Sequence, residues 1–241
     1  MIEISHIGKK FGKKAVLDDI NLEISEEQIY GLIGYNGAGK TTLLKIINGI
    51  YRPESGKVCI DGVPVYENEK LKRQMFMMTE ELFFLPQATL QSMEKFYRGY
   101  YEHWDSKVFW KLVKLFGLTP TQKISGFSKG MQRQAGLIIA FATGTKYLFL
   151  DEAFDGLDLG IRKLMRKILR LYVEEKKVTV ILTSHNLQEL EECVDKFGMI
   201  KDTKLICDLY VEDIKKSGKN LEEYFLQEKE ESYDWETLFK E

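Results

Sequence analysis

The sequence predicts an α/β fold with a mostly parallel core sheet, an N-terminal antiparallel β subdomain and a smaller helical subdomain. Three observations carry this. First, the apolar runs Ile29-Tyr30-Gly31-Leu32-Ile33, Tyr147-Leu148-Phe149-Leu150 and Val178-Thr179-Val180-Ile181-Leu182 alternate with helical spacing. Strands buried on both faces of a parallel sheet have this composition. Second, residues 1–27 instead alternate apolar and polar positions. Third, the stretch from about 88 to 143 reads mainly as helix by its apolar spacing.

Taken in order, Ile2 and Ile4, then Leu17, Ile20, Leu22 and Ile24, mark short half-buried antiparallel strands. Lys57–Gly62 reads as another strand closing on a turn. From Thr41 to Asn48, Leu43, Leu44, Ile46 and Ile47 fall at helical spacing, and Asn48-Gly49 ends the helix. The middle block carries Phe96-Tyr97, Trp104, Phe109-Trp110 and Phe116, rings expected mainly in core or inter-helix packing. Gly160–Glu175 reads as a helix between two buried strands. The tail beyond Asp213 is charged and holds one amphipathic piece, Leu221–Leu226.

With 241 residues, 44% of them hydrophobic, the chain buries a sizeable core in one large domain or two unequal lobes. Charged residues make up 30%, and the formal net charge is -2. That balance exerts no overall pull toward nucleic acid or an anionic membrane. Cys59, Cys193 and Cys207 are far apart without metal-ligand spacing, which fits a reducing compartment. Met1–Ile4 does not open a signal peptide. No apolar stretch approaches the ~20 residues that span a bilayer, so any membrane role is expected to come through another chain.

The strongest motif is Gly34-Tyr35-Asn36-Gly37-Ala38-Gly39-Lys40-Thr41, which fits G-x-x-x-x-G-K-[ST], the phosphate-binding P-loop. The glycines let backbone N–H groups converge on phosphate oxygens, and the following helix points its positive end at the same anion. Lys40 is expected to reach the β and γ phosphates, Thr41 to hold Mg²⁺ through its hydroxyl, and Thr42 to belong to the same nucleotide contact. Next, Asp151-Glu152 follows the second buried strand. Carboxyl ends of parallel strands line the ligand crevice. Asp151 is therefore expected to hold the Mg²⁺ shell, and Glu152 to take a proton from the attacking water or orient it. By itself the pair reads equally as an acidic helix cap. His185 follows the third buried strand and is a candidate γ-phosphate contact, so three strand ends are expected to converge. Ser125-Gly126-Phe127-Ser128-Lys129-Gly130-Met131-Gln132-Arg133-Gln134 leads into an apolar helix. Ser128 is a plausible N-cap there, and the helix start offers a second anion-binding terminus. On physical grounds alone this is a helix start with a glycine.

In this order, the motifs resemble those of the nucleotide-binding subunits of ABC transporters, over about residues 2 to 210. The P-loop matches that family's Walker A. Tyr147–Glu152 resembles Walker B with its catalytic glutamate, and Phe127–Met131 the signature loop, usually Leu-Ser-Gly-Gly-Gln. Asp155-Gly156-Leu157-Asp158 is similar to the D-loop, His185 to the switch histidine, and Phe11 to the aromatic that stacks on adenine. The resemblance implies a P-loop NTPase fold whose ATPase domain spans 1–212. Within it, 1–86 and 145–212 form a RecA-like catalytic lobe with the β subdomain, 87–144 form the helical subdomain, and 213–241 follow as a helical tail. It implies MgATP as ligand, with Lys40, Glu152 and His185 catalytic.

Two copies, or this chain and a paralogue, would sandwich ATP between Lys40 and Thr41 of one chain and Ser128 and Gly130 of the other, with Asp158 beside it. Closing on ATP and opening after hydrolysis would drive separate integral-membrane permeases from the cytoplasmic face of the membrane. No nucleic-acid partner is implied.

The chain departs from the family pattern in three places. Lys129 and Met131 differ from the usual signature residues, and Lys129 reads either as a cation beside the phosphates or as a solvated helix-end lysine. Where the Q-loop glutamine is expected, Met78-Thr79-Glu80-Glu81 has none. Glu80 is assigned there as a further Mg²⁺ ligand, with Gln87 the weaker candidate. The tail piece resembles a closing segment of bacterial exporter-type subunits, which favours export of a drug, peptide or lipid-like compound; it reads equally as an ordinary amphipathic helix. A soluble ABC-type ATPase acting on ribosomes or in DNA repair is the alternative. Such proteins usually have tandem units or a long coiled-coil insertion, and this sequence has one P-loop, one signature and no heptad stretch.

Overall fold

The computed structural model of the chain describes residues 1–227. Strands β1 (Ile2–Phe11) and β2 (Lys14–Ile24) form an antiparallel hairpin, and β4 (Ser55–Ile60) and β5 (Val63–Pro64) extend it in the order β2-β1-β4-β5. A six-stranded sheet has the order β10-β9-β3-β8-β7-β6. Its members are β3 (Ile29–Gly34), β6 (Met75–Met78), β7 (Tyr147–Leu150), β8 (Thr179–Thr183), β9 (Lys196–Lys201) and β10 (Lys204–Tyr210). All pair parallel except β10, which runs antiparallel to β9.

Nine α-helices are described: α1 (Lys40–Ile47), α2 (Glu69–Lys72), α3 (Leu90–Tyr100), α4 (Ser106–Leu115), α5 (Lys129–Ala142), α6 (Leu159–Lys176), α7 (Leu187–Cys193), α8 (Val211–Lys216) and α9 (Leu221–Gln227). Polar caps stand at several of these starts. Thr89 and Ser92 form a reciprocal capping box on α3, and Asp105, Ser128 and Asp158 cap α4, α5 and α6 with their side chains. Each such cap satisfies N–H groups that the helix leaves free.

Alternation along the parallel strands divides the interior into two cores, because successive side chains point to opposite faces. Ile29, Ile33, Leu148, Leu150, Val180 and Leu182 pack against α5 and α6. Tyr30, Leu32, Tyr147, Phe149 and Ile181 pack on the other side with α1 and the antiparallel sheet. The six apolar positions of residues 1–27 named above are all buried in this second core.

The middle block is helical, as the spacing predicts, but not all of its rings pack inside. Phe109 is fully buried, and Tyr97, Trp104 and Phe116 pack against the first core. Phe96 and Trp110 are 49% and 37% exposed. They stand on the outer faces of α3 and α4 and make edge contacts with Tyr97 and Phe109. Besides the two-residue β5, three strands are not legible as strands: β6 is three methionines in four residues, β9 begins and ends on lysine, and β10 alternates only weakly. Of the tail, α8 and α9 are described. Leu221 is buried, its N–H donates to Glu191 Oε2 (3.1 Å), and Tyr224 meets Phe197 edge-on. Residues 228–241 lie outside the described residues.

Candidate functional site

The carboxyl ends of β3, β8, β7 and β6 lie side by side, and the loops leaving them line one cleft of about 430 Å³. Its wall includes Asn36, Gly37, Gly39, Lys40, Thr41 and Thr42 from the P-loop, Glu152 and Asp155 after β7, His185 after β8, Glu80 after β6, and Val16 from β2. This is the convergence expected where parallel strands end.

Gly39, the residue before α1, takes φ 109, a conformation that side chains disfavour. It offers no side chain to cap the helix, so the first-turn N–H groups remain available to an anion. Lys40 is 6% exposed. Its Nζ donates to the Gly34 carbonyl oxygen (2.7 Å) and the Tyr35 carbonyl oxygen (3.5 Å), and lies 3.6 Å from Glu152 Oε1.

A hydroxyl relay joins the three strand ends. Thr41 Oγ1 donates to Asp151 Oδ2 (2.8 Å), Thr183 Oγ1 donates to Asp151 Oδ1 (2.7 Å), and the Glu152 N–H donates to Thr183 Oγ1 (2.9 Å). Asp151 and Thr183 are both fully buried. Two hydroxyls thus fix both oxygens of Asp151, and Thr183 also fixes the Glu152 backbone, which sits at φ 47. Glu152 is 7% exposed. Its Oε2 accepts from the His185 backbone N–H (3.2 Å) and lies 3.1 Å from His185 Nδ1, whose other carboxylate neighbour is Asp155 Oδ2 at 3.6 Å.

Thr183 is the residue that sequence reading misses. Its signal is a polar residue closing the apolar run Val180-Ile181-Leu182, two positions before His185. Replacing it with valine keeps the shape but orphans the Glu152 N–H and one Asp151 oxygen. Buried unsatisfied groups of this kind cost about 1–3 kcal/mol each. Thr183→Val is therefore expected to lower thermal stability and to cut hydrolysis, read by a melting curve and a phosphate-release assay on the same sample.

Arg133 is a second omission. It is half-buried on α5, and its Nη1 donates to the Thr79 carbonyl oxygen (3.4 Å). Burial pushes its guanidinium below the usual range, while Asp155, Glu80, Asp151 and Glu152 act to raise it.

Other expected residues lie outside the wall of this cleft. Phe11, 48% exposed beside the β1–β2 turn, meets Tyr51 edge-on and carries Lys9 above its ring. Ser128 caps α5 by accepting from the Met131 N–H (3.2 Å), and Asp158 caps α6 by accepting from the Ile161 N–H (3.0 Å). Both are exposed. Gly130 lies against the Gly156 carbonyl oxygen of its own chain. Between the two Q-loop candidates, Glu80 lines the cleft and Gln87 does not.

Residues 17–155 match the family model described as ABC transporter. The chain is 29% identical to the bacitracin transport ATP-binding protein BcrA of Bacillus licheniformis, covering 95% of this chain and 76% of that one. It is 30% identical to the lantibiotic transport ATP-binding protein SrtF of Streptococcus pyogenes, covering 93% and 96%. The solved structure of an ATP binding subunit of an ABC transporter has the same fold, with a TM-score of 0.84 at 22% identity over 94% of this chain and 98% of that one. The chain therefore belongs to the ABC transporter family, as a subunit that binds and hydrolyses ATP.

Proposed function

We propose that this subunit powers export by separate integral-membrane permeases, working from the cytoplasmic face of the membrane as a dimer with a second copy or a paralogue. The observation that carries the reading is the junction of Lys40, Glu152 and His185 with the Thr41–Asp151 pair at adjoining strand ends. Among the described residues no helix is long and apolar enough to cross a membrane. Relatives named for bacitracin and lantibiotic transport favour a drug, peptide or lipid-like compound as cargo.

The P-loop N–H groups and Lys40 hold the β and γ phosphates. Thr41 and Asp151 present adjacent hard oxygen donors, 2.8 Å apart, which suit Mg²⁺; Glu80 stands on the same cleft as a further oxygen donor. The ion neutralises phosphate charge when bound. Glu152 takes a proton from water as its oxygen bonds to the γ phosphorus and the bond to the β–γ bridging oxygen breaks. His185, held against Glu152, contacts the γ phosphate. Phe11 stacks on adenine, and Ser128 and Gly130 close the phosphate cage from the opposing chain, with Asp158 beside it.

In this reading 1–86 and 145–212 form the catalytic lobe with its β subdomain, 87–144 the helical subdomain, and the tail begins at 213, with its part beyond 227 outside the described residues. A groove of about 240 Å³ between β6, α3 and α5 is lined by Phe76, Met78, Leu82, Phe83, Phe84 and Tyr97. Phe83 is 81% exposed there. This groove receives short cytoplasmic helices of the permease.

The test is isolation of the tagged chain from native membranes in mild detergent, with identification of what accompanies it. A polytopic membrane protein in stoichiometric amount is the expected result. Recovery with ribosomes or DNA and no membrane partner would replace export with the soluble ATPase alternative.

A further inference from the structure

Helix α5 lies against two loops of the nucleotide site in its own chain. A Cβ on Gly130 would stand 2.9 Å from the Gly156 carbonyl oxygen, and one on Gly136 would stand 3.0 Å from Met78 Cε and 3.2 Å from Leu82 Cδ2. The two glycines therefore let the helix approach the Asp155–Gly156 turn at one point and the end of β6 at another. Residues three apart share a helix face. Arg133, midway between them, accordingly faces the seam where these loops meet, and its Nη1 reaches the Thr79 carbonyl oxygen at 3.4 Å.

That seam is rich in negative charge. Glu80, the residue after Thr79, lines the cleft together with Asp155 and Glu152, and Asp151 lies behind Thr41. Lys40 is committed to Glu152 and to the Gly34 and Tyr35 carbonyl oxygens. A nucleotide bound here brings more negative charge, and like charges in a partly buried site repel strongly. Arg133, bonded at the Thr79 carbonyl beside Glu80, is a cation within electrostatic reach of Glu80 and Asp155, neither of which Lys40 serves.

We propose that Arg133 is a positioning residue that offsets the charge of Glu80 and Asp155 beside the nucleotide and thereby ties the signature helix to the site in its own chain. It rests on nucleotide binding at the P-loop cleft. Removing the arginine leaves Glu80 and Asp155 facing the phosphates unbalanced. Removing Glu80 as well takes away much of what the arginine was balancing.

The experiment is calorimetric titration of ADP, with EDTA present, into the parental chain, Arg133→Gln, Glu80→Gln and the double variant. Arg133→Gln is expected to weaken ADP binding about tenfold. In the Glu80→Gln background the same change is expected to cost about threefold or less. A purely structural arginine would not be rescued by removing a carboxylate. Equal losses in both backgrounds, or no loss on Arg133→Gln, overturn the proposal. A single variant that fails to fold while the double variant folds supports it, and failure of both overturns it in favour of packing. A parental chain that takes up no ADP overturns the P-loop reading, and this inference with it.

Discussion

Glu152→Gln is expected to bind ATP as the parental chain does and to lose at least about a hundredfold in kcat, the usual range for removing a general base. Glutamine keeps the side-chain shape and still offers an oxygen to the His185 N–H that now donates to Glu152 Oε2 (3.2 Å). The Thr183 contact is made by the Glu152 backbone, so it survives the change. The variant loses negative charge, and with it the proton acceptor. The ammonium of Lys40, 3.6 Å from that carboxylate, also loses a competitor for the γ phosphate, so the KM for ATP should stay level or fall. A fall in kcat with KM level is the signature of an interaction made in the transition state, and a KM that falls as well would report a ground state eased by the loss of the Glu152 charge. With ATP bound and unspent, the variant should also elute as a dimer on gel filtration in MgATP. Hydrolysis at the parental rate would remove Glu152 as the base and leave its contacts with Lys40 and His185 purely structural.

What the sequence disclosed about this site, and what it did not, follows from how each part is built. The P-loop is legible because one continuous stretch does the work: Gly39 must take a positive φ, Lys40 must follow it, and both requirements are local. Asp151 and His185 are legible through position, as polar residues in the loops that leave apolar strands. Thr183 and Arg133 act across 32 and 54 residues of sequence respectively, and no local pattern ties either to its partner. Glu80 is intermediate. The resemblance to the family's Q-loop placed it near the cleft, and the end of β6 brings it onto the wall, although Met75–Met78, three methionines in four residues, lacks the composition of a strand. The two-faced core shows the same division. Its alternation is visible within each strand, whereas the order β10-β9-β3-β8-β7-β6 depends on pairings between distant segments.

Ser128→Arg is expected to leave ATP binding intact and to abolish hydrolysis, and the reason lies in where Ser128 stands. It is exposed, caps α5 through the Met131 N–H, and is not on the wall of its own chain's cleft. A defect in hydrolysis has two possible origins: a weakened helix start, worth about 1 kcal/mol, or lost contact with a nucleotide held by another chain. Ser128→Asp separates them. Aspartate caps as well as serine, so α5 should be as stable as before, but its charge would face the phosphates and hydrolysis should still fail. Mixing supplies the sharper test. Lys40→Ala lacks the phosphate lysine but keeps its signature loop, and Ser128→Arg has the converse defect. Each alone should be inactive. In a mixed dimer, the P-loop of the Ser128→Arg chain meets the intact Ser128 of the Lys40→Ala chain, forming one complete site. With random pairing of equal amounts, half the dimers are mixed and each has one of two sites, so activity should return to about a quarter of the parental level. A mixture no more active than its parts would assign Ser128 to its own chain's chemistry and remove the arrangement in which two copies share each nucleotide.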